Sequence, residues 1–123
     1  MINSYQDLEV WKKAMGLVTE IYKNTQTFPK EELYGLTNQL RRASVSVPAN
    51  IAEGWGRGTT KEYMQFLRIA RGSLLEVETL MTISHNLGPG YVNAQDLQEQ
   101  ILQKKIIEIS KMINALINSL KHP

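Results

Sequence analysis

The basic side chains of this sequence are concentrated in its middle third. The chain of 123 residues carries a net charge of +2, yet the segment 41–71 holds six basic residues against two acidic ones, a balance of +4. Basic side chains at helical spacing bind the phosphates of RNA and DNA, in contacts that weaken as salt rises. The candidate nucleic-acid contacts are therefore Arg41, Arg42, Arg57, Lys61, Arg68 and Arg71.

The same arginines have a second interpretation. In an antiparallel hairpin of the second and third predicted helices, Glu76 and Glu78 approach Arg41 and Arg42. The basic residues would then form salt bridges inside one chain or between subunits and would bind no nucleic acid. The sequence alone leaves both interpretations open.

The glycine-rich segment GWGRGTT (54–60) superficially resembles a phosphate-binding loop. It matches neither the GxxxxGK[ST] nor the GxGxxG pattern, and it follows a predicted helix, whereas both motifs follow a strand. We interpret it as a left-handed glycine turn between two helices. Trp55 and Tyr63, on either side of this turn, are available to stack on a base.

No catalytic or metal-binding arrangement is predicted. The chain has no cysteine, and neither of its two histidines, at positions 85 and 122, has a second ligand three or four residues away. No serine or threonine is marked as a nucleophile by a neighbouring base. Asn50 and Glu53 are the polar residues that we expect to face inward, and for Glu53 a pair with Arg57 is favoured over a role as a base. We expect no enzymatic activity, no metal and no cofactor.

Length and composition indicate one domain that spans residues 1–123. The N-terminal segment lacks the basic start and apolar core of a signal peptide, and the chain has no apolar run of the ~18 residues that span a membrane. We expect a cytoplasmic protein without a membrane partner.

The first predicted helix carries two apolar stripes. Ser4 or Asp7 is expected to cap its start, and it should end before Phe28, because the residue that precedes a proline avoids the α region. One stripe is enough for the core of a small bundle, so a second stripe predicts further burial, for example against another subunit. The stripes are Leu8, Trp11, Met15, Val18 and Tyr22, and beside them Val10, Ala14, Leu17 and Ile21.

The second helix is predicted from Lys30 to Trp55 although it contains a proline. Apolar residues keep their spacing of three and four across this proline, which a loop would not preserve, so we expect one helix with a kink near Pro48. Small residues around the kink allow a neighbouring helix to approach closely. The residues assigned to this structural motif are Pro48, Asn50, Glu53 and Gly54.

Two further helices complete the chain. Thr59 and Glu62 form a predicted capping box at the start of the third helix, Gly88 and Gly90 end it, and residues 93–96 cap the fourth. Four amphipathic helices with short connections predict an all-α, antiparallel up-down-up-down four-helix bundle. The predicted seams are Tyr63, Phe66, Ala70, Ser73, Val77, Leu80, Ser84 and Leu87 in the third helix, and Leu102, Ile106, Ile109, Ile113, Leu116 and Leu120 in the fourth.

Several segments together resemble one family. The sequences QLRRA (39–43) and SVPANIAEG (46–54), with YQDLEVW (5–11), FPKEELYGL (28–36) and RIARGSLLE (68–76), are similar to the four-helix-bundle proteins encoded in intervening sequences of bacterial 23S ribosomal RNA genes. The resemblance covers essentially the whole chain. It is carried by the combination of segments and not by any one of them.

The resemblance implies a ring-like homopentamer of helical bundles without enzymatic activity. The family is related to the accessory variability determinant of diversity-generating retroelements. That protein binds nucleic acid through a positively charged surface and is a partner of a reverse transcriptase. The function of the family is poorly characterised, and its ribosomal-protein label reflects the location of its genes. In the matched motif, Asn50, Glu53 and Gly54 are expected to serve the kink and its packing.

Two hypotheses follow. In the first, the chain is a non-catalytic, oligomeric bundle that binds RNA or DNA through a basic face on the second and third helices. RNA is favoured over DNA as the ligand. In the second, it is a structural or protein-interaction module whose arginines form salt bridges. Partners are accordingly further copies of the chain, a nucleic acid, or another protein.

Overall fold

The computed structural model describes residues 2–91 and 97–123, and its backbone is dominated by four α-helices. Within these residues there is no strand, so the all-α, four-helix prediction is confirmed. The predicted cap of the fourth helix, at residues 93–96, lies outside them. The helices are α1 (Glu9–Thr25), α2 (Leu36–Gly56), α3 (Thr60–Asn86) and α4 (Leu97–Lys121), with short 3-10 turns at Tyr5–Asp7 and Lys30–Glu32.

The two apolar stripes of α1 are buried to different degrees. Val10, Ala14, Leu17 and Ile21 are buried. In the other stripe, by contrast, Met15 is 43% exposed and Tyr22 is 42% exposed. Leu8 and Trp11 of this stripe pack partly buried against the core, so only its later part is an exposed apolar surface. The further burial that a second stripe predicts remains a prediction.

The N-terminal capping residues act one turn earlier than predicted. Ser4 and Asp7 form a capping box around the 3-10 turn that precedes α1. Hydrogen bonds from the backbone N–H groups of Asn3 and Ser4 hold the pKa of the Asp7 carboxyl below its usual value. The residue that directly precedes α1 is Leu8, which cannot cap with its side chain.

The second helix begins at Leu36 and not at Lys30, so the predicted start was six residues too early. Residues Lys30–Glu32 form a 3-10 turn, and the chain then passes through Gly35, where an added Cβ would lie 2.9 Å from Glu32 Oε1. The Glu32 carboxylate also accepts from the Leu36 N–H at 3.3 Å. A negative charge near a helix N-terminus stabilises the helix, so the Glu32 carboxylate helps to set the start of α2.

The connection between α3 and α4 contacts this same turn. The Tyr91 hydroxyl donates to Glu32 Oε2 at 2.8 Å, and this hydrogen bond raises the pKa of Tyr91 above its ordinary value. The Tyr91 ring meets Phe28 edge to face, with 5.2 Å between ring centroids. Two connections that are distant in sequence are therefore joined through one carboxylate and one aromatic pair.

Helix α2 continues through Pro48 to Gly56, as the unbroken apolar spacing predicts. Proline lacks the N–H that would bond the carbonyl of Ser44. Two residues later, Asn50 donates from its side chain to the Ser46 carbonyl at 2.8 Å. The bend at Pro48 itself remains a prediction.

Helices α2 and α3 pack closely along their length. Gly54 is buried, and a Cβ added there would lie 2.7 Å from the Cβ of Phe66 and 3.2 Å from Tyr63 Cδ1. Two turns earlier, Ser46 Oγ and Ser73 Oγ are hydrogen bonded at 2.8 Å. These contacts run in opposite order along the two helices, and the antiparallel arrangement of the bundle remains a prediction.

The core is lined by α3 and α4 nearly as their seams predict. In α3 the buried face is shifted, because Phe66 and Ser73 lie at the half-buried border with α2, and Leu87 is exposed. In α4 the last buried residue is Ile117, with Leu116 and Leu120 beside it. The buried residues of α3 are Leu67, Ala70, Leu74, Val77, Leu80, Met81 and Ser84.

We expect Gly54→Ala to destabilise the fold although alanine is the better helix former. The new methyl group would overlap Phe66, and such overpacking costs about 1–3 kcal/mol, which exceeds the helix-propensity gain of about 1 kcal/mol. Urea unfolding followed by circular dichroism measures the difference. The control is Gly72→Ala in α3, where nothing lies within 4 Å of the added Cβ and stability should be retained or rise. Equal stability of the two variants would contradict the close contact.

Candidate nucleic-acid interface

The structure places the six candidate basic residues in several different surroundings of the α2–α3 pair. Arg41 faces α1, since its Nε donates to Thr25 Oγ1 at 3.0 Å and its guanidinium lies 4.7 Å from the Tyr22 ring centroid. It is half-buried. Because Thr25 and Tyr22 hold the Arg41 guanidinium against α1, this side chain lies away from the outer surface of α3.

Arg57 lies at the turn between α2 and α3 and is neutralised by two carboxylates. Its Nη2 is 2.9 Å from Glu53 Oε1 and its Nη1 is 3.8 Å from Glu62 Oε2, while the guanidinium lies 5.0 Å from the Phe66 centroid. The predicted pair with Glu53 is confirmed. The prediction that Glu53 faces inward is wrong, because its side chain is 51% exposed.

Arg71 points from α3 towards α4. Its Nη1 donates to Asn114 Oδ1 at 2.9 Å, and it lines a groove of about 230 Å³ together with Glu78 and Lys111. The floor of this groove is apolar, formed by leucine and isoleucine side chains of the two helices. Arg71 is therefore engaged between helices, and Glu78 lies on its side of α3.

The three remaining basic residues are exposed and uncompensated. Lys61, Arg68 and Arg42 make no hydrogen bond or ion pair with any residue that the structure describes. Lys61 and Arg68 are seven residues apart on the exposed face of α3, a spacing of about two helical turns or about 10.5 Å. We call these two residues the outer ridge of α3.

Arg42 lies on the side of α2 that faces α3, in a groove that also contains Glu76. The ion pairs that the sequence suggested between Arg41 or Arg42 and Glu76 or Glu78 are not formed among the described residues. Intrachain salt bridges therefore do not account for Arg42.

The structural motif around Pro48 serves helix packing. The Asn50 side chain donates to the Ser46 carbonyl at 2.8 Å and to Ser46 Oγ at 2.9 Å, and Ser46 in turn bonds Ser73. Pro48 and Gly54 are buried. The Ser46–Ser73 bond was missed from the sequence, although positions 42, 46 and 50 recur at the spacing of one helical face.

Tyr63 does not lie free for base stacking, which corrects the sequence-based expectation. Its ring packs against Gly54 and the core. Its hydroxyl is a buried polar atom without a hydrogen-bond partner in the described part of the chain, and burial raises the pKa of Tyr63 above its ordinary value. Trp55, at the end of α2, is half-buried.

The residues that the structure describes show neither a cluster of metal-ligating side chains nor a membrane-spanning helix. They contain no group of three or more histidine, aspartate or glutamate side chains arranged to hold a metal ion. None of the described helices combines the length and the apolar character needed to cross a membrane.

We expect Tyr63→Phe to retain the stability of the fold at neutral pH and to change its dependence on alkaline pH. Removing a hydroxyl without a partner loses no hydrogen bond. Because the pKa of Tyr63 is raised in the folded state, the unfolded chain releases this proton first, and stability falls as the pH rises above about 10.

Urea unfolding of both proteins across this pH range is the measurement. The phenylalanine variant should lose less stability than the parent above pH ~10. A loss of more than about 1 kcal/mol at neutral pH would instead show that the hydroxyl is hydrogen bonded.

The comparison with known protein families agrees with the fold. The family of 23S rRNA-intervening sequence proteins matches residues 6–115, a segment that contains the six candidate basic residues and the motif around Pro48. No curated protein matches the chain. Since the family match extends over most of its length, the chain belongs to the 23S rRNA-intervening sequence protein family.

Proposed function

We propose that this protein is a non-catalytic RNA-binding bundle that contacts phosphates through the outer ridge of α3. The observation that carries the proposal is the state of Lys61 and Arg68, which are exposed and make no ion pair with the described residues. A cation without an internal partner retains its full attraction for a phosphate. Arg41, Arg57 and Arg71 are less suited to this role because each already has a partner.

Two cations alone bind nucleic acid weakly, so the proposal includes assembly of several copies. The resemblance implies a homopentamer, and each added copy would contribute another outer ridge. Linked sites bind with an effective concentration that raises the overall affinity by orders of magnitude without new kinds of contact. Avidity of this kind is compatible with a net charge of only +2 per chain.

The surface that we propose for contact between copies is the exposed stripe of α1. Met15 and Tyr22 are each more than two-fifths exposed, and Val45 of α2 is 42% exposed. Trp11 and Val18 lie half-buried in the same stripe of α1. Removing these exposed apolar side chains from water by covering them with a second copy would be favourable.

The exposed stripe of α1 also supports a second function, that of an interaction module. If the arginines hold helices and subunits together, the protein is an interaction module that assembles without nucleic acid. The contacts of Arg41 with Thr25 and of Arg71 with Asn114 support this alternative. The two functions differ in what reversal of the outer ridge does, because a structural role predicts loss of assembly and a ligand role predicts loss of RNA.

We expect the double variant Lys61→Glu, Arg68→Glu to lose RNA binding and to keep its oligomeric state. Fluorescence anisotropy of a labelled 23S ribosomal RNA fragment, titrated over a salt series, measures binding. In the parent protein the logarithm of the affinity should fall linearly with the logarithm of the salt concentration.

The matched control is Lys104→Glu, Lys121→Glu, which makes the same change in net charge at two exposed positions of α4. The control should bind more tightly than the α3 variant. Absence of binding by the parent at low salt, or equal binding by the two variants, would refute the proposed role of the outer ridge.

We expect Met15→Glu to dissociate the oligomer, because it places a charge in the apolar stripe of α1 where a second copy would bury it. Sedimentation velocity gives the mass of the assembly. The control is Leu75→Glu, an equally drastic change at a position of α3 that is 57% exposed and outside the stripe. A mass reduced by Leu75→Glu and unchanged by Met15→Glu would place the subunit contact elsewhere.

A further inference from the structure

A polar groove lies between α2 and α3, and neither residue of the outer ridge lines it. Its volume is about 370 Å³, which is within the range of small-ligand sites. One basic and one acidic side chain line it from opposite helices, Arg42 from α2 and Glu76 from α3. The remaining polar lining consists of Asn38, Gln39, Ser46 and Ser73.

Some polar side chains of this groove are hydrogen bonded to each other, and others have no partner among the described residues. Ser46 and Ser73 bond each other at 2.8 Å, so these two hydroxyls are engaged. The side chains of Arg42, Glu76 and Gln39 make no hydrogen bond or ion pair with the described residues. Donors and acceptors of both charges are thus available to a ligand.

The pairing of charges in the groove selects the kind of ligand. Arg42 and Glu76 line one groove, yet no nitrogen of the first lies within 4.0 Å of a carboxylate oxygen of the second. A phosphate would be attracted by Arg42 and repelled by Glu76. A neutral planar ring that accepts hydrogen bonds on one edge and donates them on the other would satisfy both.

We propose that this groove binds an unpaired guanine base of RNA, an inference that rests on the proposed RNA-binding function. Guanine accepts through O6 and N7, the atoms to which arginine donates in pairs. Its opposite edge donates through N1–H and the N2 amino group, which a carboxylate accepts. Arg42 therefore contacts O6 and N7, and Glu76 contacts N1–H and N2.

The other bases fit this arrangement less well. Adenine presents an amino donor where Arg42 also donates, and its N1 has no hydrogen for Glu76 to accept. Among the pyrimidines, uracil offers Arg42 one acceptor, O4, where guanine offers two, and cytosine presents an amino donor at that position. The groove therefore prefers guanine.

The position of the groove allows one RNA strand to reach both sites. Arg68 of the outer ridge and Glu76 of the groove lie on the same helix, eight residues or about 12 Å apart. Phosphates of a strand that follows α3 can contact the outer ridge while one of its bases turns into the groove.

The test compares single-stranded RNAs that differ in one base. Fluorescence anisotropy is measured with a labelled uridine-only oligonucleotide and with the same oligonucleotide carrying one central guanosine, adenosine or inosine. Guanosine should tighten binding about tenfold, whereas adenosine should give no gain. Inosine lacks the N2 amino group but keeps O6, N7 and N1–H, so it should lose part of the gain, a result that needs no change to the protein.

Variants of the groove locate the preference. Glu76→Gln and Arg42→Gln should bind the uridine-only RNA and lose the preference for guanosine. Glu78→Gln is the matched control, because Glu78 lies on the same helix and lines the α3–α4 groove. It should keep the preference, and circular dichroism of each variant checks that the fold is retained.

The outcomes separate the two proposals. Equal affinity for the uridine-only and guanosine RNAs would overturn the guanine site and leave the outer ridge as a phosphate contact. Absence of binding to either RNA would overturn both. Loss of the guanosine preference in Glu78→Gln, or a change of sedimentation mass in Glu76→Gln without an effect on the preference, would also overturn the guanine site.

Guanosine monophosphate distinguishes the source of the base. Calorimetric binding of this nucleotide that is lost in Glu76→Gln would support the groove as a site for free guanine nucleotides as well as for RNA. A guanosine preference seen only within RNA would support a site that depends on phosphate contacts along the strand.

Discussion

The close approach of α2 and α3 depends on the missing side chain at Gly54. Any Cβ at this position would overlap Phe66, so the two helices could not keep their present separation. That separation brings Ser46 and Ser73 into hydrogen bonding and sets the width of the polar groove. The same glycine thus determines how far apart Arg42 and Glu76 lie, although it touches neither.

Most of the fold could be predicted because helical periodicity survives in the sequence. The spacing of apolar residues identified four helices, and it was correct to continue α2 through Pro48. The start of α2 was misplaced because the apolar pattern begins at Leu33, whereas the backbone turns at Gly35. Periodicity reports which residues are apolar, and it does not report where a carboxylate such as that of Glu32 initiates the helix.

The candidate site was less predictable than the fold, because side-chain partners come from elements that are remote in sequence. Arg41 and Arg42 are neighbours in the chain but face different helices, since successive helical residues are about 100° apart. Arg71 finds Asn114 on α4, a partner that no local pattern indicates. Clustering of charge in the sequence therefore overstated the number of available cations, since only Lys61, Arg68 and Arg42 of the six candidates have no partner among the described residues.

The contact of Glu32 with both Tyr91 and Leu36 has a consequence for the dynamics of the bundle. Opening the connection after α3 removes the Tyr91 hydroxyl from a carboxylate that also accepts the first N–H of α2. We therefore expect the start of α2 and the region of Tyr91 to be coupled in local unfolding, although Glu32 and Tyr91 are 59 residues apart in the sequence. Amide protons on the first turn of α2 then exchange through the same opening event as those near Tyr91.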